Sequence, residues 1–141
     1  QAIPETSDTL RYGGYLVNAA GCIECHTQHD KGNPLPGMDF AGGREFAGPG
    51  GSVFSSNITP DKETGIGTWT REQFVNKFKQ YGSEYKPHDV KPGEFQTIMP
   101  WMMYAKMTES DLSAIYAYIH SVKPIKNKVT RFVASSVIAK N

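Results

Sequence analysis

The two cysteines of this chain lie three positions apart and are followed directly by a histidine, in the run Cys22-Ile23-Glu24-Cys25-His26. This run constrains the fold because one large group can bond to both thiols and to the imidazole. The pattern C-x-x-C-H is the attachment signature of a c-type haem. Each thiol adds to one vinyl group, and the histidine projects beneath the ring to ligate the iron. The run therefore predicts one covalently attached haem c, with Cys22 and Cys25 bonded to it and His26 as an iron ligand.

Three other interpretations of the cysteine pair are weaker. A thioredoxin-type dithiol is expected near a βαβ pattern, which the sequence lacks. A zinc site has no second cysteine pair and would have to recruit His29, His88 or His120. A structural disulfide would not need His26. Haem attachment is therefore the favoured interpretation.

The composition is short of the aliphatic residues that usually fill a core. Leu, Ile, Val and Phe together number 28 of 141 residues, close to the level at which composition begins to suggest disorder. The net charge is only +1 and aromatic residues make up 11%, so the chain is expected to fold. A haem at the centre would replace the missing aliphatic side chains.

Residues 30–68 hold nine glycines and four prolines and show no helical period. No alternation of polar and apolar residues is strong enough there to predict a sheet. A connection of this length normally has structure of its own or packs on something. We expect it to form a wall of the haem crevice.

Helices are predicted over residues 8–20, 70–81 and 108–122 from helical spacing of apolar residues and from capping signals. Gly13 and Gly14 interrupt the first helix, which makes sense if another backbone approaches closely there. A fourth, short amphipathic helix is predicted over residues 129–139. No run approaches the 18 or so apolar residues of a membrane span.

Charge is distributed unevenly along the chain. All 14 acidic residues lie at or before Asp111, and the charged residues that follow it are all basic. We divide the chain into a domain at 1–128 and a basic C-terminal extension at 129–141, packed on the domain or trailing from it. The basic end is either a solvated surface or a docking patch for an acidic partner or an anionic membrane. It lacks the interleaved aromatic residues of a nucleic-acid site, so no nucleic-acid partner is expected.

The second axial ligand decides what a haem does, and methionine is the favoured candidate. Thioether ligation raises the reduction potential and suits electron transfer. Met99 is the first choice, because Pro100 stiffens the turn that presents it. Met102 and Met107 stay open as alternatives.

The run RYGGYL at 11–16, leading into GCIECHT at 21–27, resembles the opening of class I cytochromes c. Six more stretches follow in order: GGREF at 42–46, SNITPD at 56–61, TGIGTWT at 64–70, MPW at 99–101, YAKMT at 104–108 and DLSAIYAY at 111–118. Together they resemble one haem domain of the cytochrome c subunits of membrane-bound alcohol and gluconate dehydrogenases, over residues 9–128.

This resemblance implies an all-α cytochrome c-like fold with crossed N- and C-terminal helices, one covalent haem and long irregular loops. It also implies iron ligation by His26 and Met99. Asn57, Trp69 and Arg44 match family positions from which side chains hydrogen-bond the haem propionates.

The function expected from these features is that of a monohaem cytochrome and not of an enzyme. It would carry single electrons outside the cytoplasm, in the periplasm of a bacterium or otherwise exported, with peripheral membrane association as an option. The donor would be a dehydrogenase or a quinol-oxidising complex, and the acceptor an oxidase or another cytochrome. Two alternatives are a haem domain or subunit of a dehydrogenase or oxidase complex, and an open-site haem enzyme or gas sensor. Dehydrogenase subunits usually carry three such domains, whereas this chain has one C-x-x-C-H.

Overall fold

The structure is a computed structural model that describes residues 2–135. Its helices are α1 (Thr9–Ala19), α2 (Cys22–Cys25), α3 (Arg71–Lys79), α4 (Trp101–Tyr104) and α5 (Glu109–Ser121). Its strands are β1 (His29–Asp30), β2 (Asn33–Pro34), β3 (Glu45–Gly48), β4 (Gly51–Phe54) and β5 (Phe132–Ala134).

Helices α1 and α5 pack against each other, as the paired glycines predicted. A Cβ atom on Gly13 would lie 2.0 Å from the carbonyl oxygen of Ala114, so only glycine permits this approach. The Tyr12 hydroxyl donates a hydrogen bond to the Asp111 carboxylate at 2.8 Å, beside the glycine contact.

The three main predicted helices are confirmed, and two of them begin after the predicted capping residues, Thr70 and Thr108. Thr70 and Gln73 cap α3 reciprocally, and Thr108 and Asp111 do the same for α5. Their buried side chains, with those of α1 and of the loops, form one core cluster. Its members are Val17, Phe40, Ile66, Phe74, Val75, Phe78, Leu112, Ile115 and Ile119.

The prediction of an all-α fold is wrong, because two antiparallel sheets accompany the helices. β1 pairs with β2, and β3, β4 and β5 form a second sheet in that order. β3 and β4 are a hairpin closed by Pro49 and Gly50. Each strand has only two to four residues, too few for alternation to appear, and β5 comes from the far end of the chain. The pairing of β5 depends on contacts between distant residues, which local pattern does not reveal.

The C-terminal segment also differs from its prediction. The helix predicted over 129–139 is wrong at residues 132–134, which form β5, and residues 136–139 lie outside the described residues. The division of the chain at residue 128 stays a prediction. Within residues 2–135, no helix has both the length and the hydropathy that crossing a membrane requires.

Candidate functional site

A cavity of about 310 Å³ lies between α2, α3, α4, α5 and the β3–β4 hairpin. Most of its wall is apolar, with Ile58, Phe74, Phe78, Ile115 and Ile119 among the side chains that line it. A volume of this size suits a small-molecule or cofactor site. The region between the helices therefore offers an apolar pocket to a bound group.

Both thiols open onto this cavity from α2. Gly21 precedes the helix in a left-handed conformation (φ 72°), which turns the chain sharply after α1. Cys22 and Cys25 form no disulfide with each other, and both line the cavity. Burial raises the pKa of the Cys22 thiol to about 11, so it is a neutral thiol at pH 7.

His26 ends α2 and lines the same cavity, with only 9% of its surface exposed. Its Nδ1 lies 2.7 Å from the backbone carbonyl oxygen of Ser56. Since a carbonyl can only accept, Nδ1 carries the proton and Nε2 keeps its lone pair. Burial lowers the pKa of the ring, which also favours the neutral form. A neutral imidazole with Nδ1 held by a carbonyl is the arrangement expected of a metal-ligating histidine.

The methionines divide by position. Met99 and Met107 line the cavity, whereas Met102 and Met103 are 52% and 57% exposed and do not. Two bonds hold the turn at Met99, because the Thr97 hydroxyl accepts from the Met99 backbone N–H at 3.2 Å and from the Trp101 indole at 3.3 Å. Of the three candidate ligands, the structure brings Met99 and Met107 to the cavity.

The other histidines do not join the site. His29, His88 and His120 lie off the cavity wall. Within the part of the chain that the structure describes, no three His, Cys, Asp or Glu side chains come together as a metal cluster. The zinc interpretation therefore gains no support.

The three residues expected to bind the haem propionates do not all lie at the cavity. Trp69 and Asn57 line the cavity and Arg44 does not. The Arg44 guanidinium donates to the Glu24 carbonyl and lies over the Phe46 ring, 5.3 Å from its centroid.

The Asn57 amide is engaged within the protein. Its Nδ2 donates to the carbonyls of Ile125 (2.8 Å) and Asn127 (3.2 Å), and its Oδ1 accepts from the Thr59 N–H and hydroxyl. The side chain is buried and ties the segment after α5 to the loop before α3. These bonds point to a structural task for Asn57.

Two cations on the cavity wall were not predicted. Lys77 and Arg131 line it, and no carboxylate of residues 2–135 does. A haem carries two propionate carboxylates on an apolar ring. An apolar wall with two cations, two thiols and a neutral imidazole therefore fits a haem in charge and in chemistry. Arg131 was missed because nothing local in the sequence tells where the C-terminal segment folds back.

Comparison with known proteins agrees with this chemistry. The family model for cytochrome c matches residues 11–123 of the chain. The chain belongs to the cytochrome c family. As a cytochrome c it is an electron-transfer protein that holds haem c covalently, which confirms those two predictions.

Its relatives include cytochrome subunits of several dehydrogenases. The cytochrome c subunit of the quinone-dependent alcohol dehydrogenase of Gluconobacter oxydans is 36% identical over 117 residues, which are 82% of this chain and 22% of that protein. The gluconate 2-dehydrogenase cytochrome c subunit of Pantoea cypripedii is 37% identical, covering 86% and 25%. The fructose dehydrogenase cytochrome subunit of Gluconobacter japonicus is 39% identical, covering 83% and 22%.

These relatives confirm the resemblance stated from the motifs. The cytochrome c domain spans about a quarter of the length of the curated relatives it matches. The relatives are named as cytochrome subunits of dehydrogenases, which agrees with an electron-transfer role and not a catalytic one.

Proposed function

We propose that this cytochrome c domain holds a single haem, ligates its iron through His26 and Met99, and carries single electrons between redox partners. The observation that carries the proposal is the meeting of both thiols, the oriented imidazole and Met99 at one largely apolar cavity. The bound haem supplies the one-electron change at its iron. The protein supplies orientation, burial and charge.

The residues around the two ligands support this assignment. The Ser56 carbonyl fixes the tautomer and ring orientation of His26 and increases the electron donation of Nε2. The Thr97 hydroxyl restrains the turn that carries Met99. A thioether ligand in an apolar pocket raises the reduction potential, because both favour the less charged reduced iron.

Substitution of single methionines tests the ligand set. Met99→Ala should abolish the long-wavelength absorption band of the Met–Fe(III) bond and lower the reduction potential. Met102→Ala is the control, because its exposed side chain lies off the cavity, and it should leave both unchanged. Survival of the band in Met99→Ala, with its loss in Met107→Ala, would assign the iron to Met107.

We further propose that the electron donor is a dehydrogenase and that the protein works outside the cytoplasm, in the periplasm or otherwise exported. The names of the relatives support this choice of donor. Their greater length supports the alternative that the domain is a unit of a dehydrogenase complex and not a separate carrier. Exposed Lys123 and Lys128 would suit an acidic partner surface, whereas Lys126 pairs with Glu63 at 2.6 Å.

Native electrophoresis distinguishes a separate carrier from a unit of a dehydrogenase complex. Source membranes are solubilised in detergent, and the gel is stained for haem and for dehydrogenase activity. Comigration of haem and activity would assign the domain to a complex. A haem band at the mass of the chain alone, released by salt, would assign it to a separate carrier. Fractionation of the same cells reports the location.

A further inference from the structure

The segment 129–135 lies beyond the residues that match the family model, yet it forms part of the cavity wall. We call it the C-terminal strap. Its β5 pairs with β4 along Gly51, Ser52 and Val53. The Phe54 N–H donates to the Arg131 carbonyl at 2.9 Å, and the Ser135 N–H donates to the Gly50 carbonyl at 3.2 Å. The backbone of the strap is therefore held at both ends.

Gly51 makes this pairing possible. A Cβ atom there would lie 2.3 Å from the Val133 carbonyl oxygen, and its φ of 138° favours glycine. The strap also packs on the segment before Met99, where the Phe95 and Phe132 rings meet edge to face with centroids 6.0 Å apart. Contacts on two sides fix where the strap runs.

We propose that the C-terminal strap is a cofactor-binding element and that Arg131, from the cavity wall, pairs with a carboxylate of the haem. The inference rests on the haem occupying this cavity, as the proposed function requires. Arg131 thereby has the role of binding a propionate, which the sequence resemblance implied for Arg44.

Charge on the cavity wall is the first argument. Lys77 and Arg131 are the cations that line it, and no carboxylate of residues 2–135 lines it with them. A guanidinium offers two parallel N–H donors that match a carboxylate, and it stays charged at every physiological pH. Arg131 is therefore suited to a carboxylate of the haem.

The position of the guanidinium is the second argument. It lies over the Phe95 ring, 5.5 Å from the centroid, which limits where the side chain can turn. It lines the same cavity as His26, the residue to which the proposed function assigns the iron. Arg44 also lies over a ring, that of Phe46, but its guanidinium donates to the Glu24 carbonyl and lies off the cavity wall.

A positive charge close to the iron stabilises the reduced haem, since the reduced iron carries one positive charge fewer. Removing that charge should lower the reduction potential. A residue that only packs against the sheet would not produce a shift that depends on charge. The potential therefore separates a carboxylate partner from a structural residue.

The test compares Arg131→Gln with Arg131→Lys and with Lys128→Gln in the haem-loaded protein. Lys128→Gln removes the same charge from an exposed residue that lies off the cavity wall. We expect a lower potential and a shifted propionate bending band in the resonance Raman spectrum for Arg131→Gln. Arg131→Lys should recover most of the potential, and Lys128→Gln should change neither reading.

A potential and a propionate band in Arg131→Gln that match those of Lys128→Gln would overturn the inference. An Arg131→Lys variant shifted as far as Arg131→Gln, with the Raman band unmoved, would also overturn it, since the residue would then act through packing. Failure of the proposed function is distinguishable, because the parent protein would then lack a haem spectrum with six-coordinate iron.

Discussion

At the scale of single residues, Asn57 joins two separate parts of the chain. Its buried amide bonds to the carbonyls of Ile125 and Asn127 and to the backbone and hydroxyl of Thr59. Thr59 is itself fully buried and accepts from the Ile125 N–H. The segment that leads from α5 to the C-terminal strap is thus fastened by side chains before the strap begins.

Asn57→Ala should lower the free energy of unfolding by about 2–3 kcal/mol, because buried carbonyls and an N–H lose their partner. Chemical unfolding followed by circular dichroism measures this. The exposed Asn33 provides the control, and Asn33→Ala should cost under about 0.5 kcal/mol. A large change in reduction potential with little loss of stability would instead favour the propionate role expected from the sequence.

Residue type and spacing predicted a haem site at Cys22, Cys25 and His26, because the chemistry of that motif depends on neighbours in sequence. They could not separate Arg44 from Arg131 as a carboxylate partner. That choice depends on where two loops lie around the cavity, and the route of the C-terminal strap is fixed by the pairing of β5 with β4. No local signal in a stretch of three to five residues carries that information.

At the scale of elements, the contact between α1 and α5 positions the walls of the cavity, and Gly13 is its closest point. Gly13→Ala should destabilise the protein by about 2–3 kcal/mol, because the new Cβ atom meets a backbone carbonyl that cannot move alone. Glycine-to-alanine changes inside helices normally stabilise a protein by up to about 1 kcal/mol. A loss of stability in Gly13→Ala would therefore report the close approach of the two helices. Chemical unfolding measures it.

Gly50→Ala is the matched control, because its Cβ atom would have ordinary contacts at 3.8 Å. It should change the free energy of unfolding by under about 1 kcal/mol. A neutral or stabilising Gly13→Ala would contradict the close packing of α1 on α5.

The hydrogen bond from Tyr12 to Asp111 makes a pH-dependent contribution to the stability of the contact between α1 and α5. The hydrogen bond to Asp111 is the main cause that raises the pKa of Tyr12, with smaller effects from burial and from the charge of Asp111. A raised pKa means that folding favours the protonated hydroxyl. Its contribution is complete below the ordinary tyrosine pKa of about 10 and is lost as the pH rises through the higher value of the folded protein.

Tyr12→Phe should therefore cost about 0.5–1 kcal/mol at pH 7, a modest value because the pair is partly exposed. The difference from the parent should shrink at strongly alkaline pH. Tyr15→Phe is the control, since its hydroxyl has no hydrogen bond to residues 2–135. Equal losses for the two variants at pH 7 would rule out a contribution from the Tyr12 bond.

Helices were predictable here and strands were not, for a physical reason. Capping pairs such as Thr70 with Gln73 and apolar residues such as Phe74 and Phe78 lie within one or two turns of each other. The strands have only two to four residues, too few for an alternation of polar and apolar residues to appear, and β5 pairs with a strand about 80 residues earlier. The absence of helices from residues 30–68 was predicted correctly, but the β3–β4 hairpin within them was not predicted.

At the scale of the whole molecule, the haem cavity explains the shortage of aliphatic residues. Helices α2 to α5 all direct side chains into it, so the bound group completes the core. Burial of apolar surface is the main favourable term in folding. We therefore expect the chain to lose stable folding without its haem.

A Cys22→Ala, Cys25→Ala double variant, purified free of haem, tests this expectation. It should show reduced helical circular dichroism and no cooperative thermal transition, because nothing fills the space between the helices. The haem-loaded parent, purified alongside, should melt cooperatively. Full native helicity with a cooperative melt in the haem-free variant would contradict the haem as the centre of the core.

A spectroelectrochemical titration of the purified protein tests most directly whether a haem ligated by His26 and Met99 transfers single electrons. We predict one haem per chain, a one-electron Nernst curve, low-spin six-coordinate spectra in both oxidation states and little change on adding carbon monoxide. A five-coordinate ferrous spectrum that shifts readily with carbon monoxide would contradict this account and indicate an open iron site, as in a haem enzyme or gas sensor.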